Sequence, residues 1–323
     1  MKLFGKKKDE EQLDQDKTKS KTVAHPELKV ISGSSVSKPT PAPQQAPPEP
    51  VDEELIPQVD NVIMVASGKG GVGKSTVAVN IAIALSEVCD KVGLLDSDVY
   101  GPSIPTMMGI KEQPKTTEDK KLIPLQRHNI SLMSIGFMVS EEQALIWRGP
   151  MIHSAIRQML GDVIWDELDY LVIDMPPGTG DIHLTLAQTV PVTGSVVVTT
   201  PQDIALIDAK KGLKMFEKVD IPVLGIIENM SLHICSNCQH EEAIFGQGGG
   251  EAMAKEYGVE FLGALPLDIT IRTSTDTGVP TVAADPDSPV SHVYRKMARK
   301  LAASSSSRRS STTFRSAIVT STV

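Results

Sequence analysis

Gly68-Lys69-Gly70-Gly71-Val72-Gly73-Lys74-Ser75 decides the reading of this chain, because it fits the phosphate-binding pattern G-x-x-x-x-G-K-[ST]. Glycines let such a loop wrap until its backbone N–H groups converge on a polyphosphate, and the following helix turns its positive dipole end toward the same charge. In this pattern Lys74 reaches the β and γ phosphates and the Ser75 hydroxyl holds Mg²⁺. The context fits. Val62-Ile63-Met64-Val65-Ala66 precedes it as a short buried strand, and Thr76 to Leu85 follows with the small and apolar residues of a helix packed on a sheet. Gly68 to Ser75, with Thr76 after them, form the expected nucleotide-binding set.

Outward from the loop, apolar runs recur at Lys91 to Leu95, Ile130 to Ile135, Tyr170 to Ile173, Ser195 to Thr199, Pro222 to Ile227 and Val259 to Ala264, with helical stretches such as Ile204 to Phe216 between them. This alternation predicts an α/β fold: a mostly parallel, doubly wound sheet of the P-loop NTPase type, in a single domain. Acids follow two strands. Asp96 and Asp98 fall just past one and Asp174 just past another, facing the crevice where parallel sheets bind ligands. Asp174 is expected to act on magnesium through its water shell, although a turn-forming Asp would suit Met175-Pro176-Pro177-Gly178 as well. Asp96 is expected beside the same metal, and either Asp96 or Asp98 could orient the attacking water.

The ends differ in composition. Residues 1–57 combine a Lys/Asp/Glu/Gln run with a proline-rich stretch, and residues 304–323 are rich in Ser and Thr. Both are expected to be disordered tails around an ordered domain at 58–303. No apolar secretory segment opens the chain, and no run is long enough to span a bilayer, so a cytoplasmic protein without membrane attachment is expected. A formal net charge of −8 speaks against a DNA-coating protein, and no nucleic-acid partner is expected.

Three cysteines do not make a disulfide framework. Cys89 reads as a packing residue. Cys235-Ser236-Asn237-Cys238 can turn two thiols toward one metal, but zinc or an iron-sulfur cluster needs four ligands. The others could come from His233 and His240, from elsewhere in the chain, or from a second subunit across a two-fold axis. Gly246 to Gly250 lacks both a lysine and a preceding strand, and reads as a flexible connection.

GKGGVGKS, LLDSDVYGPS, YLVIDMPPGTGD and IIENMS followed by a C-x-x-C occur in this order. Together they resemble the Mrp/ApbC-type iron-sulfur cluster carrier ATPases, within the MinD/ParA class of deviant P-loop ATPases. The resemblance spans roughly residues 59–301. It implies a Mg²⁺-dependent ATPase that works as a homodimer, with Lys69 reaching the partner's nucleotide, Asp98 beside the attacking water, and Asn229 against the adenine. It also implies a cluster, of the [4Fe-4S] kind, held by Cys235 and Cys238 of both subunits. Such a cluster would pass to apo iron-sulfur proteins, with a scaffold protein as candidate donor. The rival is a MinD/ParA-like positioning or partition switch with a structural zinc. A nucleotide-dependent electron donor fits less well, because Pro176 to Asp181 contains no cysteine.

Overall fold

The computed structural model describes residues 55–138, 149–235, 237–238 and 240–320. Its centre is an eight-stranded sheet. In chain order the strands are β1 (Val62–Ala66), β2 (Val92–Asp96), β3 (Leu125–Arg127), β4 (Ile130–Ser134), β5 (Tyr170–Asp174), β6 (Gly194–Thr199), β7 (Val223–Glu228) and, after a small hairpin, β10 (Phe261–Ala264). Their spatial order is β10-β7-β6-β1-β5-β2-β4-β3, and every pairing is parallel except that of β3 with β4.

A parallel sheet covered on both faces needs apolar side chains on both. In β1, Ile63 and Val65 enter one core while Val62, Met64 and Ala66 enter the other. Helix α1 (Lys74–Leu85) packs over the first face together with the long α9 (Pro289–Thr320), whose Tyr294, Met297 and Leu301 are fully buried. On the second face lie α3 (Gly149–Gly161), α4 (Asp181–Thr189), α5 (Asp203–Lys218) and α6 (Gly249–Tyr257). The remaining helices are the short α2 (Ile104–Met107), α7 (Ile269–Asp276) and α8 (Thr281–Ala284). The expected mostly parallel, doubly wound sheet is thus observed.

Register explains the crowding of acids at one end. Asp96 of β2 sits directly opposite Asp174 of β5, and Val65 of β1 is opposite Asp174 on its other side. The phosphate-binding loop leaves β1 at this same edge.

Both expected boundaries of order move. Residues 1–54 of the N-terminal segment lie outside the described residues, but Ile56 is fully buried in the second core, so the ordered domain begins before 58. At the other end α9 runs through the Ser304 boundary to Thr320. Ser305 is fully buried, and the hydroxyls of Ser305 and Ser306 donate to the carbonyls of Leu301 and Ala302. No glycine or proline interrupts residues 290–320, and extending an existing helix costs far less than nucleating one.

Candidate functional site: a phosphate loop and a cysteine hairpin

The loop from Gly68 to Ser75 is shaped by what it packs against. A Cβ at Gly68 would lie 2.2 Å from the carbonyl carbon of Asp208, so only glycine lets the loop rest on the backbone of α5. Gly73 has φ +83°, and a Cβ there would lie 2.2 Å from Nδ2 of Asn229. That amide in turn donates to the Val72 carbonyl at 2.8 Å, while Asn229 Oδ1 accepts from Met230 N at 3.0 Å. Asn229 therefore fixes the loop from below. The Val72 side chain is buried in the first core, and Gly70 and Gly71 are exposed.

Lys74 and Ser75 open α1 and meet the end of β5. Lys74 Nζ donates to Asp174 Oδ1 at 2.8 Å, and Ser75 Oγ donates to Asp174 Oδ2 at 2.6 Å. Asp98 Oδ2 lies 3.6 Å from Lys74 Nζ, and its other oxygen is buried without a hydrogen-bond partner. One buried ammonium thus serves two carboxylates. Burial pushes both Asp174 and Asp98 above the usual carboxylate range, and the Lys74 charge opposes that shift at each.

Asp96, expected beside the metal, turns away from it. Its oxygens accept from Ser134 Oγ at 2.9 Å, from Ile104 N at 3.3 Å and from Asp98 N at 3.2 Å, so it pins the loop that carries Asp98 to the start of α2. Burial, with the Asp174 charge across the strand pair, pushes it up to about 7. Of the two paired acids, Asp174 takes the Ser75 hydroxyl and Asp96 is bonded to Ser134 and the backbone of the following loop.

The donors at Ser75 and Asp174 are hard oxygens, the type Mg²⁺ takes when it is shared between protein and phosphate. Among the described residues no three His, Cys, Asp or Glu side chains form a metal-binding group. Beside the loop opens a cleft of about 340 Å³ lined by Gly73, Thr76, Met107, Asn229, Met230 and Leu267 among others. Its size and mainly apolar wall suit a nucleotide base. Lys69 is partly buried and makes no ion pair with a described residue, while its carbonyl accepts from Ser67 Oγ.

The cysteines sit on a two-stranded antiparallel hairpin, β8 (His233–Ile234) and β9 (Glu241–Glu242), inserted between β7 and α6. Cys235 N donates to the His240 carbonyl at 2.9 Å, which closes the turn. Cys238 is exposed and Cys235 partly so. The backbone amides of Cys238 and Asn237 hold the Cys235 thiol below its usual range, favouring the thiolate that ligates metals. His233 Nδ1 lies 2.9 Å from the Leu267 carbonyl, so one ring nitrogen is engaged with the fold. Neither histidine joins the two thiols in a three-residue metal-binding group.

The family model described as ParA, NUBPL iron-transfer P-loop NTPase, matches residues 58–302. The chain belongs to this family. An iron-sulfur cluster carrier protein of Escherichia coli K12 is 58% identical over 246 residues, covering 76% of this chain and 67% of that protein. An Arabidopsis thaliana iron-sulfur protein required for NADH dehydrogenase, mitochondrial, is 47% identical over 244 residues, 75% of this chain and 78% of that one. Among solved structures, a nucleotide-binding protein from Archaeoglobus fulgidus in complex with ADP shares 39% identity at a TM-score of 0.60, over 69% of this chain and 88% of that one. The septum site-determining protein MinD of Pyrococcus horikoshii, complexed with Mg-ADP, is 23% identical at a TM-score of 0.59, over 75% and 96% of the two chains, a likeness of fold.

Within this family frame, the site gathers Lys74, Ser75, Asp98, Asp174 and Asn229 around one loop, as their positions in sequence suggest. Asn229 lines the base cleft, but both ends of its amide are already bonded within the protein. The sequence reading passed over Glu228, a fully buried carboxylate at the end of β7, and Met107 and Met230 in the cleft wall. An acid closing an otherwise apolar strand was the available signal for Glu228. Among the described residues no helix is long and apolar enough to cross a membrane.

Proposed function

We propose that this iron-transfer P-loop NTPase binds and hydrolyses Mg²⁺-ATP and carries an iron-sulfur cluster, of the [4Fe-4S] kind, between two copies of itself for delivery to apo-proteins in the cytoplasm. The observation that carries the proposal is the pair of thiols, Cys235 and Cys238, presented at the hairpin with no third ligand beside them among the described residues. A two-fold axis supplies the missing two by repetition. A cluster held by four thiolates at a subunit boundary is easily released, which suits cargo better than a resident electron carrier.

In the nucleotide half, loop amides and Lys74 bind the polyphosphate, and the base enters the cleft beside Asn229. Ser75 and Asp174 would together hold magnesium, which would supply charge neutralisation at the phosphates. Asp98 offers its unpartnered oxygen as acceptor for the attacking water. Lys69, free of described ion pairs, is the candidate to reach the partner's phosphates, so nucleotide binding and dimerisation favour one another. A scaffold protein is the candidate donor.

The test is transfer. Chain loaded with cluster is mixed anaerobically with an apo iron-sulfur enzyme, and the regained activity of that enzyme is followed. Recovery should match the cluster supplied, and a Cys235→Ala/Cys238→Ala double variant should give none. Recovery with the double variant equal to that with wild type would show that free iron and sulfide, not the hairpin, supply the enzyme.

A further inference from the structure

Four consecutive residues at the end of β7 divide between the two halves of the molecule. Asn229 and Met230 face the nucleotide cleft, and Asn229 also holds the phosphate loop through the Val72 carbonyl. Glu228 and Ser231, on either side of them, bond to each other on the approach to the cysteine hairpin, and Glu228 bonds onward to the start of α6. Ser231 Oγ donates to Glu228 Oε1 at 2.5 Å, on the strand that leads into β8. At the start of α6, to which the hairpin returns, Gly248 N donates to Oε1 at 3.0 Å and Gly250 N to Oε2 at 2.6 Å. Both feet of the hairpin are therefore tied to a single carboxylate, 1% exposed, one residue from the clamp on the phosphate loop.

The stretch from Gly246 to Gly250 is accordingly not a loose connection. Its last two residues begin α6, and a Cβ at Gly250 would lie 3.0 Å from Glu228 Cβ, so the absence of a side chain lets the helix end close over the carboxylate. A negative charge at a helix N-terminus is favourable, and two backbone N–H groups on one carboxylate give a stiff anchor. Between the clamp at Asn229 and the tie at Ser231 stands Met230, held at φ 57°, a left-handed conformation that is costly for a residue with a side chain. A ligand touching Met230 in the cleft thus bears on the one strained link of this turn.

We propose that Glu228 is a positioning residue that couples nucleotide occupancy of the cleft to the setting of the cysteine hairpin. The coupling deepens the carrier function proposed above and rests on it for its purpose, since it lets the nucleotide state alter how firmly the two thiols are presented. Glu228 touches neither nucleotide nor cysteine. Its effect passes through the turn on one side and the hairpin feet on the other.

Hydrogen exchange on the metal-free full-length chain tests this, read over residues 233–245 with and without Mg-ADP, for wild type, Glu228→Gln and Ser231→Ala. In wild type the nucleotide should change exchange in this segment by about 5-fold or more, the lower range of measured couplings. Glu228→Gln sets an amide NH₂ against one of the two backbone N–H donors, so the change should vanish while ADP affinity stays within about 3-fold of wild type. Ser231→Ala removes one foot only, so the change should shrink while the fold is kept; this variant decides the matter if Glu228→Gln does not fold. A nucleotide-dependent change of wild-type size in whichever variant folds would overturn the proposal, as would none in wild type. A wild-type chain that takes up no cluster would defeat the carrier function and leave the exchange result standing.

Discussion

Lys74 Nζ and Asp174 Oδ1 meet at 2.8 Å although the two residues are 100 positions apart in the chain, and both side chains are almost wholly buried. The same ammonium is 3.6 Å from Asp98, so one cation stabilises two carboxylates at the edge of the sheet.

Replacing that cation exposes the dependence. Lys74→Ala should abolish nucleotide binding and also destabilise the nucleotide-free protein by about 3 kcal/mol or more, because breaking a buried pair leaves charge without a partner. The carboxyls of Asp98 and Asp174, already raised, should rise further. A carboxyl raised on folding gives stability that is lost as pH rises above the ordinary carboxylate range, so the variant should go on losing stability to higher pH than wild type does. Urea melts without nucleotide measure both effects; the same pH dependence in both proteins would contradict the shared-cation description.

Lys69 should behave differently from its neighbour in the loop. Lys69→Ala is expected to leave monomer affinity for ADP nearly unchanged while lowering turnover by about 1,000-fold or more, the lower end of effects seen when a trans-acting cation is removed. Calorimetry and phosphate release separate the two quantities. Wild-type turnover in the variant would rule out a trans role.

Gly73→Ala combines a left-handed backbone with a collision at the Asn229 amide. A loss of about 1 to 3 kcal/mol is expected from backbone strain alone, and nucleotide affinity should fall as well because the loop and its clamp move together. Thermal and urea melts with a binding titration would detect this; a variant matching wild type in both would mean the loop rearranges freely.

His183 in α4 is buried with neither ring nitrogen in a hydrogen bond, and it meets the edge of Phe216 at 6.5 Å between ring centres. Desolvation lowers it to about 4, partly offset by the carbonyls of Gly180 and Pro176. A base depressed on folding binds its proton more readily in the unfolded chain, so stability is lost as pH falls from 6.5 toward about 4. One such proton is worth about 1.4 kcal/mol per pH unit. Relative to His183→Leu, wild type should therefore lose on the order of 2 kcal/mol between pH 6.5 and pH 5. A constant difference across that range would show that the imidazole is solvated.

The sheet was legible because its strands are buried on both faces, which forces runs such as Val62 to Ala66 and Tyr170 to Ile173 that little else produces. The loop was legible because its chemistry is local, and Asp174 because a strand end fixes where its side chain points. Three features were not. Leu125–Arg127, half exposed, becomes β3 only because β4 offers an edge. Composition after Ser304 suggests disorder, whereas helix continuation depends on the packed turns before it. The bonds of Glu228 to Gly248 and Gly250 join residues 20 and 22 apart through a folded hairpin, and no spacing in the sequence announces them. Asp96 and Asp98 look alike by position, and only the bonds of Asp96 to Ser134, Ile104 and Asp98 N and the contact of Asp98 with Lys74 give them different tasks.

Anaerobic reconstitution with iron and sulfide tests the central claim most directly, with absorbance, Mössbauer spectra and iron per dimer measured for wild type and for Cys235→Ala/Cys238→Ala. The expected result is about one [4Fe-4S] cluster per dimer in wild type, as a two-fold pair of C-x-x-C hairpins requires, and none in the variant. Zinc bound by the monomer, or a cluster retained without both cysteines, would contradict it.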